Sequence, residues 1–151
     1  MKKIISTILS VAVVGVLLSN CSGSKTAVKI SEEEKSVFAQ KDQDTVVIAN
    51  AEAEYEIFII EPGFYSWLVS IARPEGYYSQ HFLENRNELM VMEWNRRAIN
   101  PQQYDPQLYL WQINYEPTID YGYEVNYKLY FYFIYFQRKY KQRLGPYQPR
   151  I

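Results

Sequence analysis

Glu61 is the acid in this chain best placed to do chemistry. It follows an apolar run, residues 55–60, and precedes Pro62-Gly63, so it falls at the end of an expected strand, where a carboxylate can face a cleft. With Arg73 as partner, it is the candidate acid/base group of a hydrolase working by carboxylate chemistry. Other carboxylates stand one helical turn apart, Glu84 with Glu88 and Asp120 with Glu124. Both pairs also read simply, as a solvated helix face and as acids in a first helical turn.

Nucleophilic chemistry has less to work with. His81 is the only histidine, and a triad would need it beside Ser66 or Ser79 and an orienting acid. There is no Gly-x-Ser-x-Gly string and no EF-hand spacing among Asp105, Glu116 and Asp120. One histidine and one cysteine cannot build a zinc site of the usual N/S type. No catalytic set, metal or cofactor is expected from these residues, and an enzyme is not the favoured reading.

The lone cysteine has a different use. Lys2 and Lys3 precede an apolar run over residues 4–18, which would span roughly 23 Å as a helix, short of a hydrocarbon core of about 30 Å. That is the size of a secretory signal. The run ends Leu17-Leu18-Ser19-Asn20-Cys21-Ser22, which resembles a lipobox, with Asn20 where glycine, alanine or serine is more common. The resemblance implies lipid on Cys21 and cleavage before it, and with acyl chains contributing about 0.8 kcal/mol per buried methylene the anchor would be stable. With no thiol left, the fold must stand without a disulfide.

The expected organisation follows. Residues 1–20 are a lipoprotein-type signal peptide, and residues 21–44, polar with the charge run Glu32-Glu33-Glu34-Lys35, are a lipidated flexible tether averaging roughly 25 Å end to end. Residues 45–144 are a single α+β domain and residues 145–151 a C-terminal tail. A short helix over residues 30–38 is the lesser reading of the tether. The expected place is the cell envelope, lipid-anchored, at the periplasmic face of the outer membrane. Ser22-Gly23-Ser24-Lys25 carries neither the early acids of surface-exported lipoproteins nor an aspartate that would retain the protein in an inner membrane.

Composition excludes some partners. The net charge is −1, and beyond residue 20 there are 14 basic against 17 acidic residues. Nucleic acid, which needs a basic face for counterion release, is therefore not an expected partner. The aromatic content is the anomaly: 15 tyrosines, 7 phenylalanines and 3 tryptophans make 17% of the chain. Tyr77, Tyr78, Trp94, Tyr104, Tyr109 and Trp111 fall in or near irregular segments, so they are the candidate ligand-facing side chains for an envelope protein or a glycan. The competing reading is that such rings build the core of a domain with few aliphatics.

The elements that would position these residues are read from pattern. Residues 45–48 and 55–60 are expected strands and residues 109–115 a third. A helix over 64–72 should end before Pro74. Ser79 should cap a second helix running to about Ala98, with residues 89–94 alternatively a strand because Asn85-Arg86-Asn87-Glu88 interrupts the apolar stripe. Residues 120–144 should form the longest helix, stopped by Gly145-Pro146 and apolar nearly all round, hence central. The expectation is an α+β fold: a small antiparallel sheet of two or three short strands packed with three helices, the C-terminal helix longest.

Several strings match a known pattern in order. Glu54-Tyr55-Glu56-Ile57, Glu61-Pro62-Gly63-Phe64, Ser66-Trp67-Leu68, Tyr77-Tyr78-Ser79-Gln80, Glu93-Trp94-Asn95-Arg96 and the stretch Ile119-Asp120-Tyr121-Gly122-Tyr123-Glu124-Val125-Asn126-Tyr127 resemble an uncharacterised Bacteroidota lipoprotein family, the domain of unknown function 6146, over about residues 45–144. The resemblance implies a lipoprotein and supplies no catalytic residues.

Overall fold

A computed structural model describes residues 28–41, 45–50 and 55–151. The expected signal peptide, Cys21 and the start of the expected tether lie outside the described residues. Element order is α1 (Glu32–Phe38), β1 (Thr45–Asn50), β2 (Tyr55–Ile60), α2 (Phe64–Ser70), α3 (Gln80–Ala98) and α4 (Gly122–Lys139).

The α+β expectation is overturned. Four helices make the body of the fold and hold most of its core, and no sheet layer beyond a two-stranded ribbon exists among the described residues. Extended pairing is confined to one two-stranded ribbon, β1 antiparallel to β2 with Val46 opposite Ile59. The ribbon contributes buried Val46, Ile48 and Ile59 to a core otherwise built by helices and loops. The expected third strand at 109–115 is an irregular segment instead. Its backbone groups bond side chains of α3 rather than a ladder, which satisfies them equally well.

α4 is the axis of the molecule. Val125, Leu129, Phe133 and Phe136 form one buried stripe, and Tyr127, Tyr130, Phe131, Ile134 and Tyr135 are buried on its other sides, the all-round apolar character expected. α3 packs along it, with α2 and β1 on other flanks. Each such side chain withdrawn from water contributes about 2 kcal/mol, so this helix contributes more of the hydrophobic stabilisation than any other element. No helix among the described residues is long and apolar enough to cross a membrane.

α4 stops earlier than expected and is not the longest helix: it has 18 residues against 19 for α3. The stop is not Gly145-Pro146. Lys141 turns into the left-handed region at φ 51°, and the Gln142 amide reaches back to the Gln137 carbonyl at 3.0 Å, a Schellman closure. The Gln137 side-chain oxygen then accepts from the Leu144 amide at 2.7 Å, so the chain reverses and buries Leu144.

α3 is one continuous helix, capped as expected by the Ser79 hydroxyl, which accepts from the Phe82 amide. The polar interruption does not break it because Asn87 belongs to the buried face. Leu83, Asn87, Met90, Val91 and Trp94 line that face. Asn87 donates to the Asn126 carbonyl and side-chain oxygen at 3.0 and 3.1 Å, and Tyr115 donates to the same side-chain oxygen at 2.7 Å.

α1 corrects the flexible-tether expectation for residues 32–38. Ser31 and Glu34 form a reciprocal capping box, and Glu32, Glu33 and Glu34 occupy the first turn, where the helix dipole favours acids. The helix docks through Val37 and through Phe38, which meets Tyr135 edge-on at 5.3 Å. It is also fastened by charge. Glu34, 1% exposed, accepts from Arg138 Nε at 2.6 Å, Arg138 Nη2 at 2.5 Å and Trp67 Nε1 at 3.1 Å. Arg138 also donates to the Pro149 carbonyl at 2.9 Å and the Lys29 carbonyl at 3.0 Å. The expected C-terminal tail is therefore docked too, and the Ile151 carbonyl accepts from Arg73.

Gly63 starts α2 at φ 81°. A Cβ there would sit 2.5 Å from the Val37 carbonyl oxygen, so α1 rests directly on this turn. Phe64 and Trp67 then point inward, against Tyr132, Tyr135 and Phe131.

Candidate functional site

Glu61 closes the strand β2, but its partner is not Arg73. Its Oε1 accepts from Lys139 Nζ and from the Tyr140 hydroxyl, both at 2.7 Å. Lys139 also donates to the Pro62 carbonyl at 2.9 Å, and Tyr135 donates to that same carbonyl at 2.5 Å. The two charged side chains are 15% and 14% exposed. Burial, then the hydrogen bond to Glu61, pushes the Tyr140 hydroxyl well above the usual tyrosine range. The last turn of α4 thus clamps the Pro62-Gly63 turn, and Glu61 serves as the counterion of that clamp. Arg73 instead reaches the Ile151 carbonyl and lies 5.0 Å over the Tyr77 ring.

Glu84, Asp120, Glu124 and the histidine also have structural partners. Gln80 donates to both Glu84 and Asp120 at 2.8 Å, tying the start of α3 to the start of α4. Glu124 pairs with Lys128 one turn on. His81 is on the surface, 3.9 Å from Glu84 and bonded to Asn85, and the Ser79 hydroxyl is the helix cap. Among the described residues no three His, Cys, Asp or Glu side chains converge as a metal site.

The six candidate ligand-facing aromatics divide. Trp94 and Tyr109 are core residues, a correction of the expectation. The Trp94 ring packs 5.0 Å from Tyr109 and 4.8 Å from Phe136. The Tyr109 hydroxyl accepts from Arg97 at 2.7 Å. Tyr104 is half-buried, its hydroxyl taking a bond from Arg96 at 2.6 Å, and Tyr78 is half-buried in a stack on Phe82 at 4.5 Å. Tyr77 and Trp111 face solvent, Trp111 at 80% exposure.

Trp111 stands on a fixed backbone. Its carbonyl accepts from Trp94 Nε1 at 2.9 Å. Two residues on, Asn95 holds Ile113 at both ends, donating to its carbonyl and accepting from its amide, each at 2.8 Å. Leu110, beside Trp111, is exposed; so are Met92 on α3 and Ile99, the residue that closes it, three residues before and four after Asn95, a spacing that shares one face. These apolar residues were missed in the sequence because each sits singly in a helical pattern or loop, and the two stretches are brought together by side-chain bonds from Trp94, Asn95 and Arg97 that leave no local pattern. Arg97 and Glu93 brace the same region, with Glu93 taking bonds from Arg96 and Arg97. Those bonds, the one from Arg96 first, hold its carboxyl below the usual range against the opposing effect of burial.

The buried Glu34–Arg138–Trp67 group was also missed. The signal that could have found its start is Ser31-Glu32-Glu33-Glu34, a capping-box string. Its partners are too distant in sequence to leave a local pattern.

A family model described as "Family of unknown function (DUF6146)" matches residues 8–148, in line with the strings between Glu54 and Tyr127. No curated protein and no solved structure matches the chain.

Proposed function

We propose that this chain, which belongs to the family of unknown function DUF6146, is a lipid-anchored envelope protein that holds a protein partner on the apolar surface around Trp111 and catalyses no reaction. The observation that carries the partner-binding part is a fully presented tryptophan on a backbone pinned by Trp94 and Asn95. Exposed tryptophan is a costly surface residue unless it is covered, and a rigid one loses little entropy on binding. Leu110 beside it, and Met92 and Ile99 on either side of Asn95, are exposed and apolar, which favours a protein over a glycan, since sugars need polar groups beside the stacking ring. Lys2, Lys3, the apolar run and Cys21 support the anchor. Glu61, held by a lysine and a tyrosine, gives the hydrolase reading no support.

Two measurements test this. Mass spectrometry of the mature protein should find acyl chains on Cys21, and Cys21→Ala should release the protein from membranes. A photo-cross-linking amino acid at position 111 of the full-length protein in cells should give a discrete protein adduct, abolished when Met92 and Ile99 are both changed to glutamate. Trp111→Ala itself should change stability by no more than about 0.5 kcal/mol. An adduct with glycan alone, or none, would discard the protein-partner reading.

A further inference from the structure

We propose that the cleft between α3, α4 and the C-terminal segment binds a compact amphipathic anion, a carboxylate carried on a flat apolar ring. This inference does not depend on the lipid anchor or on the Trp111 surface. The cleft has a volume of about 400 Å³, within the range of small-molecule sites. Tyr78, Phe82 and Tyr130 offer ring faces and edges, while Met90, Ile134 and Leu144 supply the apolar floor. No aspartate or glutamate lines it, whereas Arg86 and Arg150 do.

The arginines give the charge preference. Elsewhere in the fold Arg96, Arg97 and Arg138 meet carboxylates, and Arg73 and Arg143 meet backbone carbonyls. Among the described residues neither Arg86 nor Arg150 pairs with an acid. Arg86 lies with its guanidinium carbon 3.3 Å from the centre of the Tyr147 ring and 5.0 Å from that of Phe82. Stacking occupies the faces of a guanidinium and leaves its N–H edge open, the edge that takes a carboxylate in a fork. A partly desolvated cation beside aromatic walls therefore selects a ligand with an anionic head and an apolar body.

Isothermal titration of the purified full chain, with ligand dilution heats subtracted, reads this directly. The probes are 1-naphthoate and its neutral counterpart 1-naphthamide. Naphthoate should bind saturably at one site, and naphthamide at least tenfold more weakly. The double variant Arg86→Gln, Arg150→Gln should weaken naphthoate at least tenfold and leave naphthamide unchanged. Arg150→Gln alone, at an exposed position that no described contact needs, should lower naphthoate affinity without altering the melting temperature. No saturable heat, equal affinity for the two probes, or naphthoate binding indifferent to the arginine changes would overturn the proposal.

Discussion

Arg138 and Glu34, 104 residues apart in sequence, form a two-pronged ion pair sealed from solvent, with Nε–Oε1 at 2.6 Å and Nη2–Oε2 at 2.5 Å. A buried pair need not stabilise a fold relative to apolar residues, but removing one partner leaves the other charge stranded. Glu34→Gln or Arg138→Met should therefore cost about 3–5 kcal/mol in denaturant unfolding, while Glu34→Leu with Arg138→Met should recover part of that loss. If the single changes were neutral, the clasp would not be holding α1. The pair also sets an acid limit. Burial alone raises the Glu34 carboxyl, but bonds from Arg138, Trp67 and the Ser31 amide outweigh it and leave it below its usual 4.5. A depressed folded value means the stability is present above about pH 4.5 and is lost as pH falls through the lower, folded value. Calorimetry from pH 7 to 3 should show that fall, and Glu34→Gln should flatten it.

Gly63→Ala should destabilise the protein by about 2–3 kcal/mol. Two costs act together, the left-handed φ of 81° and a Cβ 2.5 Å from the Val37 carbonyl oxygen. A melting temperature equal to that of the parent would mean α1 does not rest on this turn.

Lys141→Gly should do the reverse. Lys141 is exposed and holds φ 51° at the close of α4, which disfavours a side chain by about 1 kcal/mol. Glycine removes that cost, less its own unfolded-state entropy, for a net gain of about 0.5 kcal/mol. A loss of stability would show that the lysine side chain contributes something its geometry does not reveal.

Alkaline pH offers a second limit. Burial first, with nearby Glu61 adding to it, raises Tyr132 and Tyr135 well above the usual 10, and burial raises Tyr115 and Tyr130 as well. Groups whose folded value is raised contribute stability below the ordinary value and withdraw it as pH climbs past 10. In an ultraviolet titration these phenols should ionise only together with the loss of far-ultraviolet helix signal. Smooth ionisation of all fifteen tyrosines around pH 10 in a still-folded chain would contradict the packing described.

What could be read from the sequence was local. Ser79 as a cap and the Leu83–Trp94 spacing gave α3, because both depend on residues within a turn or two of one another. The apolar breadth of 120–144 gave a central helix. The failures came where distant partners decide. Glu32-Glu33-Glu34 looks like a solvated charge run until Arg138 supplies a buried counterion. Asn87 looks like a helix breaker until Asn126 accepts its bonds. Residues 109–115 alternate like a strand, yet Asn95 takes the place of a neighbouring strand. The same limit blurred the candidate aromatics: Trp94 is buried because Tyr109 and Phe136 pack on it while Trp111 is exposed, and nothing in composition records which is which.

The guanidinium of Arg138 grips the carbonyls of Lys29 and Pro149 at once, so the two outlying strands of the polypeptide are knotted at a single point on α4. Tension delivered through the chain ahead of Lys29 would meet that point before it reached α3 or the Trp111 loop.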